Sequence, residues 1–100
     1  MYYRVKLLKK AKLDIEKVYD YIEQMLFAPL AAENFLRGIY ACIADLETDA
    51  PIYAVSTYQD VLRYGVNART VSYKGFVVIY TIHKRYVLVH RIIHGSLIKR

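Results

Sequence analysis

An α+β domain is the fold class this sequence predicts: an N-terminal strand, an antiparallel helix hairpin, then a three-stranded antiparallel meander, with the helices packed on one face of a four-stranded sheet. Three observations carry it. The first residues alternate apolar and basic side chains, residues 10–46 carry apolar positions three and four apart, and three runs rich in Val, Ile and Tyr fill the end of the chain.

Each element has its own signal. In residues 2–8, Tyr3, Val5 and Leu7 fall on one side and Arg4 and Lys6 on the other, the period of a strand buried on one face. From Lys10 the period changes: Ala11, Ile15, Val18, Ile22 and Met25 recur at helical steps, with Asp14, Glu16, Lys17, Asp20 and Glu23 between them. Pro29 interrupts this helix, because it lacks an amide hydrogen and disfavours helical geometry at Ala28. A second helix over residues 30–46 carries the stripe Ala32, Phe35/Leu36, Ile39, Ile43 and Leu46, and so short a connection makes the pair a hairpin. Residues 47–65 have no clear period and contain Pro51. They are expected to form a long loop with at most a short strand.

Three β-rich runs follow, residues 68–73, 76–82 and 86–93, divided by Lys74-Gly75 and by His83-Lys84-Arg85. The middle run is apolar on both sides, which places it inside the sheet, with the N-terminal strand added at an edge.

A chain of 100 residues allows one domain spanning 1–100. Its apolar share of 56% includes eleven Tyr, which suit a half-wet face or an interface. Cys42 has no partner for an internal disulfide and sits among apolar residues, which fits a reducing compartment; the cytoplasm is the expected location. No apolar run reaches membrane-spanning length, no membrane association is expected, and the first residues lack a signal-peptide core. Four isolated glycines make no phosphate loop or dinucleotide fingerprint, and no Cys/His spacing suits zinc, so neither cofactor nor metal is expected.

Charge is partitioned along the chain. All nine acids lie between Asp14 and Asp60, whereas residues 61–100 carry eight Lys/Arg and no acid, and residues 1–13 carry Arg4, Lys6, Lys9, Lys10 and Lys12. The acids therefore belong mainly to the helices and the bases to the sheet and its rims, a positive face that attracts nucleic acid or an acidic protein segment.

If both turns hold two residues, Arg69 faces Tyr80 and Val89, and Val71 faces Val78 and Arg91. Arg69 and Arg91 then share the helix-covered face with Tyr73, Phe76, Ile82, Val87 and Ile93. There each guanidinium is either paired with Glu33, Asp45 or Glu47, or emerges at the rim to hold a phosphate or a partner's carboxylate. The opposite face would carry Thr70, Ser72, Val77, Ile79, Thr81, Leu88, His90, Ile92 and His94, a surface better suited to binding than to acid/base chemistry. Among the histidines, His94 beside Gly95 is the strongest candidate for a functional role, although any triad would need its carboxylate from the helices or the loop.

The order of elements, the segment Ala31-Ala32-Glu33-Asn34-Phe35-Leu36, the spacing Arg69…Phe76…Tyr80 and the ending Val89-His90-Arg91-Ile92-Ile93-His94-Gly95 together resemble the RelE/ParE superfamily of bacterial toxins. The resemblance covers nearly the whole chain. It implies the toxin half of a type II toxin–antitoxin pair of the plasmid-stabilisation type, neutralised by a cognate antitoxin, with operator DNA bound only as the toxin–antitoxin complex. Where the ribonuclease members have Tyr-Arg before the central Tyr, this chain has Phe76-Val77, and where they have a basic pair after the last Gly it has Ser96-Leu97. The resemblance therefore implies the ParE-like kind, without enzymatic activity, acting on a replication target such as DNA gyrase. Two alternatives stand beside it. One is a ribosome-dependent messenger-RNA endonuclease using His90 or His94 with Tyr73; the other is a degenerate toxin retaining only antitoxin and operator binding. Residues expected to meet target or antitoxin are Arg63, Arg69, Lys74, Arg91, His94, Lys99 and Arg100.

Overall fold

The computed structural model describes residues 2–99. Along the chain run β1 (Arg4–Leu7), α1 (Lys9–Asp20) with a π-helical extension over Tyr21–Met25, α2 (Pro29–Ala44), and the short α3 (Leu46–Asp49) with a 3₁₀ turn over Ala50–Ile52. Then come α4 (Gln59–Leu62), β2 (Arg69–Tyr73), β3 (Phe76–His83), β4 (Tyr86–His94) and a last 3₁₀ turn, Gly95–Leu97. One sheet has the order β1-β4-β3-β2, antiparallel except that β1 runs parallel to β4. The expected α+β architecture is observed, with β3 inside the sheet and β1 at its edge.

The hairpin lies on the sheet through the stripes read from its periodicity. Ala11 and Ile15 of α1 and Ala32, Phe35, Ile39 and Ile43 of α2 are buried against Val71, Val78, Tyr80, Val87, Val89 and Ile92. Each fully buried Ile here contributes roughly 1.5–3 kcal/mol relative to exposure. The stripe of α1 fails at its end. Met25 is 67% exposed, because the π-helical turn shifts the residues after Asp20 out of the α-helical period. The Leu26 amide donates to the Tyr21 carbonyl, the Ala28 amide to that of Ile22, and Phe27 has φ 51° before Pro29 opens α2.

Residues 47–65 are more ordered than their lack of period implies. Leu46 and Ala50 are buried on the main core, Val55 makes an isolated bridge to Arg69, and α4 brings Val61 onto the other sheet face. Buried Tyr80 donates from its hydroxyl to the Ala50 carbonyl at 2.6 Å, which anchors this segment to the middle of β3, and burial pushes the phenol's pKa up.

The Lys74-Gly75 turn has positive φ at both residues, 46° and 85°, as a type I′ hairpin requires. Between β3 and β4 the two-residue turn also holds, and Tyr80 does face Val89; beyond that point the expected register is wrong. A bulge pairs Ile79 with Arg91 and Tyr80 with Val89, so His90 is the extra residue and Val78 faces Ile92. Because side chains alternate strictly along a strand, that one insertion exchanges the faces of every later residue. Ile92 joins the main core, while Ile93 joins a second, smaller cluster with Val61, Tyr64, Ala68, Val77, Ile79 and Ile98. The face expected to be open is therefore partly covered by α4 and the C-terminal turn.

Candidate partner-binding site

Arg91 is not held by the acids expected for it. β1 pairs with β4 only from Tyr86 to Val89, and at Lys9 the chain leaves the sheet as α1, which carries Asp14 to the uncovered edge of β4. There the Asp14 carboxylate accepts Arg91 Nε at 2.7 Å and Nη2 at 3.0 Å, and the Ile92 amide at 3.0 Å. Arg91 Nη1 reaches the Tyr64 hydroxyl at 3.4 Å, so one guanidinium ties α1 to the loop on the other face. The bond to Asp14 raises its pKa above the ordinary value, against the opposing effect of burial. Glu33, Asp45 and Glu47 play no part in this pair.

Among the described residues Arg69 has no carboxylate partner. Its guanidinium donates to the carbonyls of Pro51, at 3.2 Å, and Tyr53, fastening the loop that Tyr80 also holds. Arg91 is thus in an ion pair, but with Asp14 rather than an expected acid, and Arg69 is bonded within the fold without the expected ion pair.

The histidines separate into two places. His83 Nε2 and His90 Nε2 lie 2.6 and 2.8 Å from the buried Thr81 Oγ1, and since one hydroxyl hydrogen can serve only one ring, the other ring must donate. Burial, and then the proximity of His83, lowers the pKa of His90, whose ring also lies against Tyr64. His94 sits at the far end of β4, where Nδ1 contacts Ser96 Oγ at 2.7 Å and accepts from the Ser96 amide at 3.2 Å.

Strand pairing places Tyr73, Phe76 and His94 in one row, with Phe76 in the middle. Phe76 meets His94 edge-on at 5.4 Å and Phe35 of α2 at 5.3 Å, and Phe35 meets Tyr73 at 6.4 Å. The Tyr73 ring extends over α2 so closely that a Cβ on Gly38 would lie 1.7 Å from its hydroxyl. Phe76 floors a groove with two hollows. One, of about 310 Å³, is lined by Ile22, Ala31, Asn34, Phe35 and Lys74, and the other, of about 290 Å³, by Asp14, Lys17, Val18, Arg91, Ile92, Ile93, His94 and Leu97. This is an apolar trough with Lys17, Lys74 and Arg91 on its walls.

Of the expected contact residues, the groove gathers Lys74, Arg91 and His94, while Arg63, Arg69 and Lys99 are not among its lining. Lys74 also lies 5.7 Å from the centroid of the Tyr73 ring. Arg63 is exposed over Tyr64, the Lys99 amide donates to Asp60 Oδ2 at 2.8 Å, and Arg100 lies outside the described residues. The endonuclease set is not assembled: His90 is on the other face, and Phe76 stands between Tyr73 and His94. Sequence reasoning missed Asp14 and Lys17 of α1. A parallel pairing of β1 with β4 would have revealed them, since it alone sets α1 beside the end of β4.

Among the described residues no three His, Cys, Asp or Glu gather as metal ligands, and no helix is long and apolar enough to cross a membrane. Among curated proteins none matches the chain. A solved structure of the chromosomal ParDE toxin–antitoxin system from P. aeruginosa is similar over 92% of this chain and 95% of that one, with a TM-score of 0.76 and 19% identity. At that identity the likeness shows the fold. Residues 5–98 match the family described as ParE toxin of type II toxin–antitoxin system, parDE. With the strand, hairpin and meander already in place, that match over nearly the whole chain means that this protein belongs to the ParE toxin family, the toxin side of a type II toxin–antitoxin pair whose partner is a cognate antitoxin.

Proposed function

We propose that this toxin acts in the cytoplasm by binding DNA gyrase, without nucleolytic chemistry of its own. The observation that carries the reading is the commitment of its basic and titratable groups to internal bonds. Arg91 is held by Asp14, Arg69 by two carbonyls, His83 and His90 by Thr81, and His94 by Ser96. Cleavage of RNA needs a base, an acid and a cation free to act on one phosphate; Arg91 and His94 border one hollow but are each bonded within the fold, and Arg69, His83 and His90 lie elsewhere.

The groove around Phe76 suits the antitoxin. An amphipathic segment with acidic flanks can bury apolar side chains on Phe76 and Phe35 while its carboxylates meet Lys17 and Lys74. In this reading operator DNA is bound only by the toxin–antitoxin complex.

Two assays, one on the purified toxin and one in cells, test the proposal. Inhibition of gyrase-catalysed supercoiling is expected, with no new ends in primer extension on messenger RNA from cells expressing the toxin alone. Ribosome-dependent cleavage would instead establish the endonuclease reading. Neither effect, with no growth arrest, would establish a degenerate toxin that keeps antitoxin and operator binding.

A further inference from the structure

The tip of the helix hairpin spends stability without any return to the fold. Five large apolar side chains, Tyr21, Met25, Leu26, Phe27 and Leu30, are exposed there together, with Phe27 at 85% and Leu30 at 79%. A cluster of this kind on a small soluble chain marks an interaction site. Phe27 is also in the left-handed region, φ 51°, at the position where a helix ends and where glycine or asparagine is favoured. Its backbone is strained and its ring is in water, so Asn would serve the isolated protein better on both counts.

The charges around the tip identify what covers it. Residues 18–36 contain Asp20, Glu23 and Glu33 and no Lys or Arg, an acidic pole on a chain of net charge +6. The Tyr19 hydroxyl donates to Glu33 at 3.0 Å and lies 3.4 Å from Glu23, so one carboxylate from each arm of the hairpin meets it. A second copy docked tip to tip would set these acids against each other, and an anionic membrane would repel them. An acidic antitoxin segment is drawn instead to Lys17 and Lys74 in the groove. We propose that the hairpin tip, anchored by Phe27, docks into an apolar pocket rimmed by Lys and Arg on the toxin's target protein. The inference rests on the target-binding reading above and places the contact on tip side chains that do not line the antitoxin groove.

The test is the double variant F27N/L30S. It is expected to melt at the same or a higher temperature than the wild type and to bind the antitoxin with unchanged affinity. The inducer concentration needed for growth arrest should rise at least about tenfold, as when an aromatic anchor leaves its pocket. Replacing the rim, E23K/E33K, should weaken toxicity in the same direction. Unchanged toxicity of F27N/L30S would overturn the proposal. So would a parallel loss of antitoxin binding, a wild-type dimer that the variant disperses, or a wild type that arrests no growth. Toxicity without gyrase inhibition, yet abolished by F27N/L30S, would remove the gyrase assignment and leave the docking tip standing.

Discussion

Asp14 and Arg91 are 77 positions apart and meet at 2.7 Å, with the Ile92 amide bound to the same carboxylate. The pair closes the stretch of β4 that β1 does not cover. Replacing Asp14 by Ala strands a partly buried guanidinium and an edge amide together, and the expected cost is about 1–3 kcal/mol. Because Lys cannot span both oxygens, R91K should lose about 1 kcal/mol or more. Urea unfolding of both variants measures this; a D14A protein as stable as wild type would show the pair to be idle.

Tyr80 is the pin between β3 and the segment after α3. Y80F keeps the ring and leaves the Ala50 carbonyl without its donor, which should cost about 1–2 kcal/mol. Hydrogen exchange should rise first in residues 50–56. A rise spread evenly over the molecule would contradict a local anchor.

His90 gives the fold a pH dependence. Its pKa is lowered in the folded state, so the unfolded chain binds the proton more readily, and the histidine's contribution is complete above the unfolded value of about 6.5. Stability should fall as the pH drops below about 6.5 and stop falling once the folded-state pKa is passed. The melting temperature of H90Q should be flatter between pH 7 and 5; an unchanged slope would assign the effect elsewhere.

Gly38 and Tyr73 form a coupled pair across α2 and β2. Alanine usually favours a helix over glycine by about 1 kcal/mol, yet here its Cβ would collide with the Tyr73 ring, 1.7 Å from the hydroxyl and 2.2 Å from Cζ. The collision should win, making G38A destabilising by about 1–3 kcal/mol. In a Y73A background the same change should stabilise by about 1 kcal/mol. A double-mutant cycle in chemical denaturation reads the coupling directly.

Lys17 and Lys74 bear on the antitoxin. K17E/K74E should weaken association by tenfold or more, and the loss should shrink as salt rises, because both ammonium groups are exposed. Calorimetry at two salt concentrations separates this from a packing defect, which salt would not relieve.

The layers of the fold were legible because period is a local property. The stripes of Ile15, Ile39 and Ile43 and the alternation in β1 needed no knowledge of what lay opposite. What was not legible depended on one residue more or less. The bulge at His90 moved Arg91 and Ile93 to the other face, and the π-helical turn after Asp20 carried Met25 into solvent. The candidate site suffered in the same way. Lys74, Arg91 and His94 do border one groove, but Phe76, which floors it, read as a strand residue and a mark of the family resemblance rather than as a contact, and Asp14 as one acid of a solvated helix face. Their roles come from pairings between the two ends of the chain, which no short window contains.

The parallel pairing of β1 with residues 86–89 also sets a schedule. During translation β1 emerges first among the strands and waits, its edge unmatched, until residues 86–89 have been made. Antiparallel neighbours β2 and β3 can join as they appear, but β1 cannot take its place before β4 leaves the ribosome. A truncated or stalled product therefore lacks a finished sheet, and with it the carboxylate clasp at Arg91. The groove and its clasp therefore come into being with β4, the last strand of the sheet to be made.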